Sequence, residues 1–334
     1  MSATINLEKK HFPVLLDELI SIISPLYGGT FIDCTFGQGG YSEKILENNA
    51  NKVVAIDRDK ESFIQAKKLK KKFKERFQFE NQIFSNIDQL HLNHEKLKAI
   101  IFDLGCSINQ INDPKKGLSF KSKGKLNMQL GQNSFSANEV VNKMPMEHLN
   151  KVFKFFGEES KSKIIANRII GFRSKKIIHT EDLVKIIDKI KKNKKSRINN
   201  STKVFQALRI LVNKEISQLI FGLINSFKIL PVGGVIAVVT FHSIEDKIVK
   251  FFFKHYSANT NSSRYLPEGK EIKKAFRLIN KKPIVASSKE INLNPPSRSA
   301  KLRCAEKIQN LNNFDDFLKK FQYLIDIENL PEQL

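Results

Sequence analysis

Three aspartates give the first indication of chemistry in this 334-residue chain: Asp33, Asp57 and Asp103 each close an apolar run, in TFID, KVVAID and AIIFD. Behind Asp33 comes a glycine-rich turn, FIDCTFGQGGYSEKIL (31–46). Gly37, Gly39 and Gly40 let a backbone approach a ligand closely, and a helix starting near Tyr41 offers its N–H groups. Asp57, 17 residues past Gly40, is placed to accept hydrogen bonds from a ribose diol. Two nucleoside ligands meet these terms, NAD and S-adenosylmethionine, and two features separate them. The dinucleotide pattern GxGxxG calls for a third glycine where Ser42 stands. A carboxylate at position 33 repels a pyrophosphate but tolerates a sulfonium and an ammonium. The residues therefore favour S-adenosylmethionine. No GxxxxGK[ST] occurs, which excludes a P-loop.

Asp103 opens DLGCSINQ (103–110), a loop that would reach the transferable group, and it is the candidate to handle the substrate. A third stretch, TFHSIEDK (240–247), follows an apolar run and offers Phe241 and His242 as site-lining residues. Ser243, Glu245 and Asp246 also read as the cap of the next helix. HLNH (91–94) has no third ligand nearby and there is no HExxH, so no metal is expected.

These residues need a frame that brings them to one edge. Strands are expected at Thr30–Cys34, at KVVAID (52–57), at FQFENQIF (77–84), at AIIFDLG (99–105) and at VIAVVTF (235–241), with helices between them. That alternation specifies a parallel α/β sheet, and ligands of such sheets bind at the carboxyl ends of the strands. From about Asn112 to Asn200 strands are not expected; helices are, around 136–144, 147–156, 158–174 and 180–193, with a basic loop at 189–201. The α/β pattern resumes with one long helix over STKVFQALRILVNKEISQLIFGLINSF. The expected division is a sheet domain from 1–111 and 216–334, interrupted by a mostly helical insertion at 112–215. FRLINKKPIVAS and SAKLRCAEKI are late strand candidates.

The formal net charge of +23 calls for a polyanionic partner, nucleic acid first. No apolar run approaches membrane-spanning length, and MSATINLEKKHF has no apolar signal core. Three well-separated cysteines, Cys34, Cys106 and Cys304, fit a reducing cytoplasm.

Taken in order, FIDCTFGQGGYS, VVAIDRD, FDLGCSINQINDPKKGLSF, FGEESKSKIIANRI, STKVFQALRILVN and FHSIEDKIVK resemble the bacterial rRNA small-subunit methyltransferase H (MraW) family. The resemblance runs from HFPVLLDEL (11–19) to NPPSRSAKLRCAEK (294–307). It implies a class I, Rossmann-like methyltransferase sheet whose helical insertion recognises RNA. The implied activity is methylation of the exocyclic N4 of a decoding-centre (P-site) cytidine in 16S rRNA, with the assembled 30S subunit as the expected partner, which would tune decoding. It also implies cofactor contacts at Gly39, Gly40, Tyr41, Asp57, Phe84, Asp103 and Gln110. The family usually has His at position 41. After GLSF, KLNMQLG (125–131) places Asn127, Gln129 and Gly131 where the family carries charged residues, and Thr202-Lys203 stands for its threonine-arginine.

The N4 lone pair is delocalised into the cytosine ring, so the amine must be held in line with the methyl–sulfur bond. Asp103, with the carbonyls of Leu104 or Gly105, is expected to accept its N–H. The target base must leave its stack, and Phe36, Phe120 and Phe241 are candidates to sandwich it, with His242 beside it. Arg168, Arg173, Lys203, Arg298, Arg303 and the 189–197 cluster are candidates to hold phosphates. Rival readings are a nicotinamide oxidoreductase, a catalytically inactive assembly factor of the same fold, and a methyltransferase for another nucleic acid.

Overall fold

The computed structural model describes residues 13–131, 133–191, 199–257 and 274–333. The 192–197 part of the basic cluster and the segment before Pro13 lie outside them.

Among the described residues, eight strands form one sheet: β1 (Thr30–Asp33), β2 (Lys52–Ile56), β3 (Phe77–Glu80), β4 (Leu97–Asp103), β5 (Val235–Thr240), β6 (Phe276–Leu278), β7 (Ile284–Val285) and β8 (Lys301–Lys307). Their order is β3-β2-β1-β4-β5-β8-β6, with β7 also beside β8. The first five strands run parallel, and β8 is antiparallel to β5. Every residue of β5 is buried, as is most of β4. That is why both read as continuous apolar runs and not as alternating ones. The chain leaves β1 toward β2 and β3, then returns to place β4 on the other side of β1. The β1/β4 boundary is therefore the switch point at which a crevice opens at the carboxyl edge. The core joins sheet residues Phe31, Ala55, Ile101 and Val239 to Leu19, Ile45 and Leu69 from the helices Leu16–Ile23, Gly40–Leu46 and Ser62–Phe73.

The chain divides into two compact units: one holds the part up to Gly105 with Leu223–Asn312, the other Cys106–Gly222 with the tail from Asn313. The sheet lies in the first. In the second, helices Met146–Phe155 and Ser162–Phe172 pack on one another, and the tail helix Asp315–Glu328 packs on Met146–Phe155. The tail was expected with the sheet; it packs with the helical unit because its apolar face, Phe317, Phe321 and Leu324, is buried there and Glu328 reaches a helix start. In the stretch 112–200, strand pairing among the described residues amounts to a single bridge, Lys125 with His179.

Two elements differ from the sequence reading. The long helix is two helices, Thr202–Asn213 and Glu215–Ile229, broken at Lys214 with φ 49°. The buried Asn213 amide explains the break. It donates to the Met128 carbonyl at 2.8 Å and accepts from Leu130 N–H at 2.8 Å, while Glu328 accepts from Ile216 and Ser217 N–H at 2.7 and 2.8 Å. These bonds compete with helix continuation and start a new helix. They also order KLNMQLG, in which Leu126, Met128 and Leu130 are buried. Second, β3 stops at Glu80, where Gln82 N–H turns back to the Glu80 carbonyl and the Asn81 amide reaches the Asp57 carbonyl. Phe84 thus begins a short helical turn, Phe84–Gln89. No described helix is long and apolar enough to cross a membrane.

Candidate cofactor and catalytic site

The three aspartates meet at the carboxyl edge of the sheet. Asp33 is fully buried; Ser42 Oγ donates to its Oδ2 at 2.7 Å and Thr35 N–H to its Oδ1 at 3.3 Å. Burial pushes its carboxyl up to about 6 against both hydrogen bonds, with Asp57 adding repulsion. Ser42, where the dinucleotide pattern wants glycine, is thus the hydroxyl that satisfies this acid. Sequence reasoning treated Ser42 only as a missing glycine and overlooked Thr35 altogether. A hydroxyl residue nine positions past a buried acid, across one tight turn, was the available signal.

Asp57 closes the turn from the second strand. Its Oδ2 accepts from Gly37 N–H and Ser62 Oγ, and its Oδ1 from Asp59 N–H, each at 2.8 Å. Burial raises its proton affinity, and these donors oppose the rise. A carboxylate has about four acceptor sites, so room remains for a hydroxyl. Gly39 lies at φ 76°, and a Cβ there would sit 2.6 Å from the Phe36 ring. A Cβ on Gly40 would meet Pro13 Cγ at 2.1 Å. Tyr41 is buried, with its hydroxyl donating to the Val14 carbonyl. Its side chain faces the protein interior, which leaves only its backbone to meet a ligand. Phe84 is half-buried, edge-on to Phe102 with ring centroids 5.4 Å apart.

Asp103 ends β4. Its Oδ1 is buried and has no hydrogen-bond partner among the described residues. Burial, then the charges of Asp33 and Glu245, pushes its carboxyl well above the usual range. A buried acceptor without a donor makes Asp103 a candidate to receive a ligand's N–H. Phe241 lies against Gly105, where a Cβ would stand 3.4 Å from its ring. His242 caps the helix Ser243–His255; its Nδ1 accepts from Glu245 N–H at 3.4 Å, and Glu245 Oε2 accepts from Phe241 and His242 N–H at 2.8 and 3.2 Å. The cap falls on His242, one residue before the expected Ser243, so His242 has a structural task.

The remaining candidates have surroundings of their own. Gln110 belongs to the second unit and completes a capping box with Ser107 on the helix Ile108–Asn112. Phe36 is corrected outright: it is buried against Phe77 and Phe79, at 5.6 and 5.4 Å. Phe120 packs edge-on to Phe205 in the second unit, at 6.1 Å. Arg173 is also corrected, because its Nε donates to the Val141 carbonyl at 2.9 Å and its Nη2 to the Met144 carbonyl. It ties off the end of the helix Ala137–Lys143. Lys203 donates to the Glu158 carbonyl at 2.7 Å. Arg303 is buried and paired with Asp246 at 2.7 Å, which removes it as a phosphate holder. Arg168 and Lys189 are exposed, with both charges about the Phe172 ring at 5.3 and 5.2 Å. Arg298 is exposed on the turn Pro295–Ser299.

A doubly wound sheet with a glycine turn and three acids at its switch point defines a nucleoside-binding α/β enzyme. The sequence profile of the MraW methylase family matches residues 8–308, and the chain belongs to that family. The ribosomal RNA small subunit methyltransferase H of Bartonella bacilliformis is 40% identical over 306 residues, covering 91% of this chain and 92% of the relative. The protein of the same name from Ehrlichia canis is 40% identical over 303 residues (89% and 100% covered), and that from Afipia carboxidovorans 36% over 319 (95% of both). The methyl donor of this methylase is S-adenosylmethionine.

The state of Asp33 has a measurable consequence. Its unfolded value is near 3.8 and its folded value about 6. Its contribution to stability is therefore fully present below 3.8 and lost as pH rises through 6. Asp33→Asn should melt higher than wild type at pH 7, by on the order of 2–3 kcal/mol, with the difference vanishing toward pH 4. On the reading that the donor's sulfonium lies beside Asp33, the same variant should also bind S-adenosylmethionine more weakly at pH 7, because a negative charge is lost from the turn. Thermal melts and calorimetric titrations at both pH values check the pair of outcomes.

Proposed function

We propose that this methylase acts on 16S rRNA, methylating the exocyclic N4 of a cytidine in the decoding centre (P site) of the 30S subunit and so tuning decoding, in the cytoplasm. The observation that carries the reading is the buried, unpartnered Asp103 Oδ1 beside the glycine turn. An exocyclic amine has the N–H such an acceptor lacks. Supporting it are the relatives' shared name, rRNA small subunit methyltransferase H, and the +23 charge.

In this mechanism Asp57 takes the ribose hydroxyls, and Phe84 takes the adenine face. Asp33 places negative charge beside the turn. Bound there, S-adenosylmethionine supplies an electrophilic methyl group on a sulfonium. Asp103 accepts the amine N–H and favours a tetrahedral, more nucleophilic nitrogen. A cation bound nearby favours its ionised form, and its raised proton affinity suits it to take the proton the methylated amine loses. Transfer is direct, with no covalent enzyme intermediate. Phe241 faces the extruded base, and Arg168, Lys189 and Arg298 hold phosphates.

Methyl transfer from labelled donor to 30S subunits lacking the modification tests this, with free 16S rRNA, tRNA and DNA in parallel and mass spectrometry of the nucleosides. N4-methylcytidine confined to small-subunit rRNA is expected; label in tRNA or DNA instead would refute the substrate. The double variant Arg168→Ala, Lys189→Ala should weaken RNA binding across sequences and lower the salt slope by about one per lost contact, read from affinities at several salt concentrations.

A further inference from the structure

β1 leaves the sheet at Asp33, whereas its neighbour β4 continues to Asp103. Cys34 N–H still donates to the Ile101 carbonyl at 2.9 Å. In a regular parallel ladder the next donor on β4, the Asp103 N–H, would find a main-chain carbonyl of β1. It finds the Thr35 hydroxyl instead, at 2.6 Å. Thr35 N–H points the other way, to Asp33 Oδ1 at 3.3 Å. One residue thus ties the main chain of Asp103 to the side chain of Asp33, across the β1/β4 switch point.

On its other side Asp103 is held by β5, through its register with Val239 and the Leu104 N–H bond to the Val239 carbonyl at 3.0 Å. Beyond it lies Gly105 at φ 100°, where the chain turns sharply. No partner among the described residues fixes Asp103 Oδ1, so its direction is inherited from the backbone. The backbone is fixed on the β1 side by a side-chain hydroxyl. An apolar residue at 35 would leave the Asp103 N–H unsatisfied, and the strand end would have to shift to recover a partner.

We infer that Thr35 is a positioning residue for methyl transfer: its hydroxyl replaces the missing ladder acceptor and sets where the Asp103 carboxyl stands. The inference rests on the methylation reading above. It assigns Thr35 no contact with the donor, so the two variables of turnover and cofactor affinity should separate.

The test compares wild type, Thr35→Val and Thr35→Ser on 30S subunits lacking the modification, with kcat, KM for S-adenosylmethionine, calorimetric Kd for the same ligand, and melting temperature. Thr35→Val keeps the shape and removes the hydroxyl; it should lower kcat by about ten- to a hundredfold, with KM and Kd near wild type. Thr35→Ser, which keeps the hydroxyl, should restore most of kcat. Wild-type kcat in Thr35→Val overturns the inference. So does a loss matched by the same loss in Kd, or a Thr35→Ser variant as slow as Thr35→Val. Absence of transfer by wild type itself overturns the methylation reading and this inference with it.

Discussion

Asp103→Ala should lower methyl transfer by about 10²- to 10⁴-fold while S-adenosylmethionine still binds. The residue follows the buried apolar run 99–102 of β4 at the switch point, and its Oδ1 is buried without a donor among the described residues. Its carboxyl is held high by burial and by Asp33 and Glu245. A carboxyl so placed is costly to the fold, because burial holds it away from its ordinary ionised form, and removing it removes that cost. The variant should therefore melt no lower than wild type, so a loss of turnover could not be blamed on unfolding. Asp103→Asn is the sharper control: it keeps the volume and loses the ability to take a proton. Single-turnover transfer, read alongside calorimetric binding, checks both. Turnover at wild-type rate in either variant would remove Asp103 from the catalytic role.

The second large effect concerns Asp57. Its carboxylate gathers Gly37 N–H, Asp59 N–H and Ser62 Oγ, so it both shapes the glycine turn and offers a remaining acceptor site. Hydrogen bonds to a charged group contribute about 1.5–3 kcal/mol each. Loss of the diol contact together with a loosened turn should weaken S-adenosylmethionine binding by about a hundredfold or more. Asp57→Asn keeps the volume but puts a donor group where an acceptor stood, and should weaken binding nearly as much. Calorimetry with S-adenosylmethionine and S-adenosylhomocysteine reads this directly. Equal loss for both ligands is expected, because the ribose proposed to sit on Asp57 is a part they share.

Much of the sheet unit was legible because its signals are local. β4 and β5 are continuous apolar runs, and the glycine turn follows an acid, so periodicity and turn chemistry agree. The boundaries that failed were set by distant partners. Asn213 looks like one more polar residue on a helix until its amide is seen bonded to Met128 and Leu130, more than eighty positions away. Glu328 could not be read as the cap of a helix beginning near Ile216. Basic residues were the least legible of the candidates. Arg168 and Arg173 lie on one helix and its following turn, yet one is exposed and the other ties off two carbonyls. Charge in the sequence does not tell which cations are already engaged. Thr35 and Ser42 were missed for a related reason: their hydroxyls matter only through the acids they reach across the turn.

The most direct test of the site is a crystal structure with S-adenosylhomocysteine bound. The expected result is a ribose diol on Asp57, the adenine against Phe84 and the sulfur turned toward Asp103. A nucleoside bound elsewhere, or one whose diol leaves Asp57 untouched, would contradict the assignment of this edge as the methyl-transfer site.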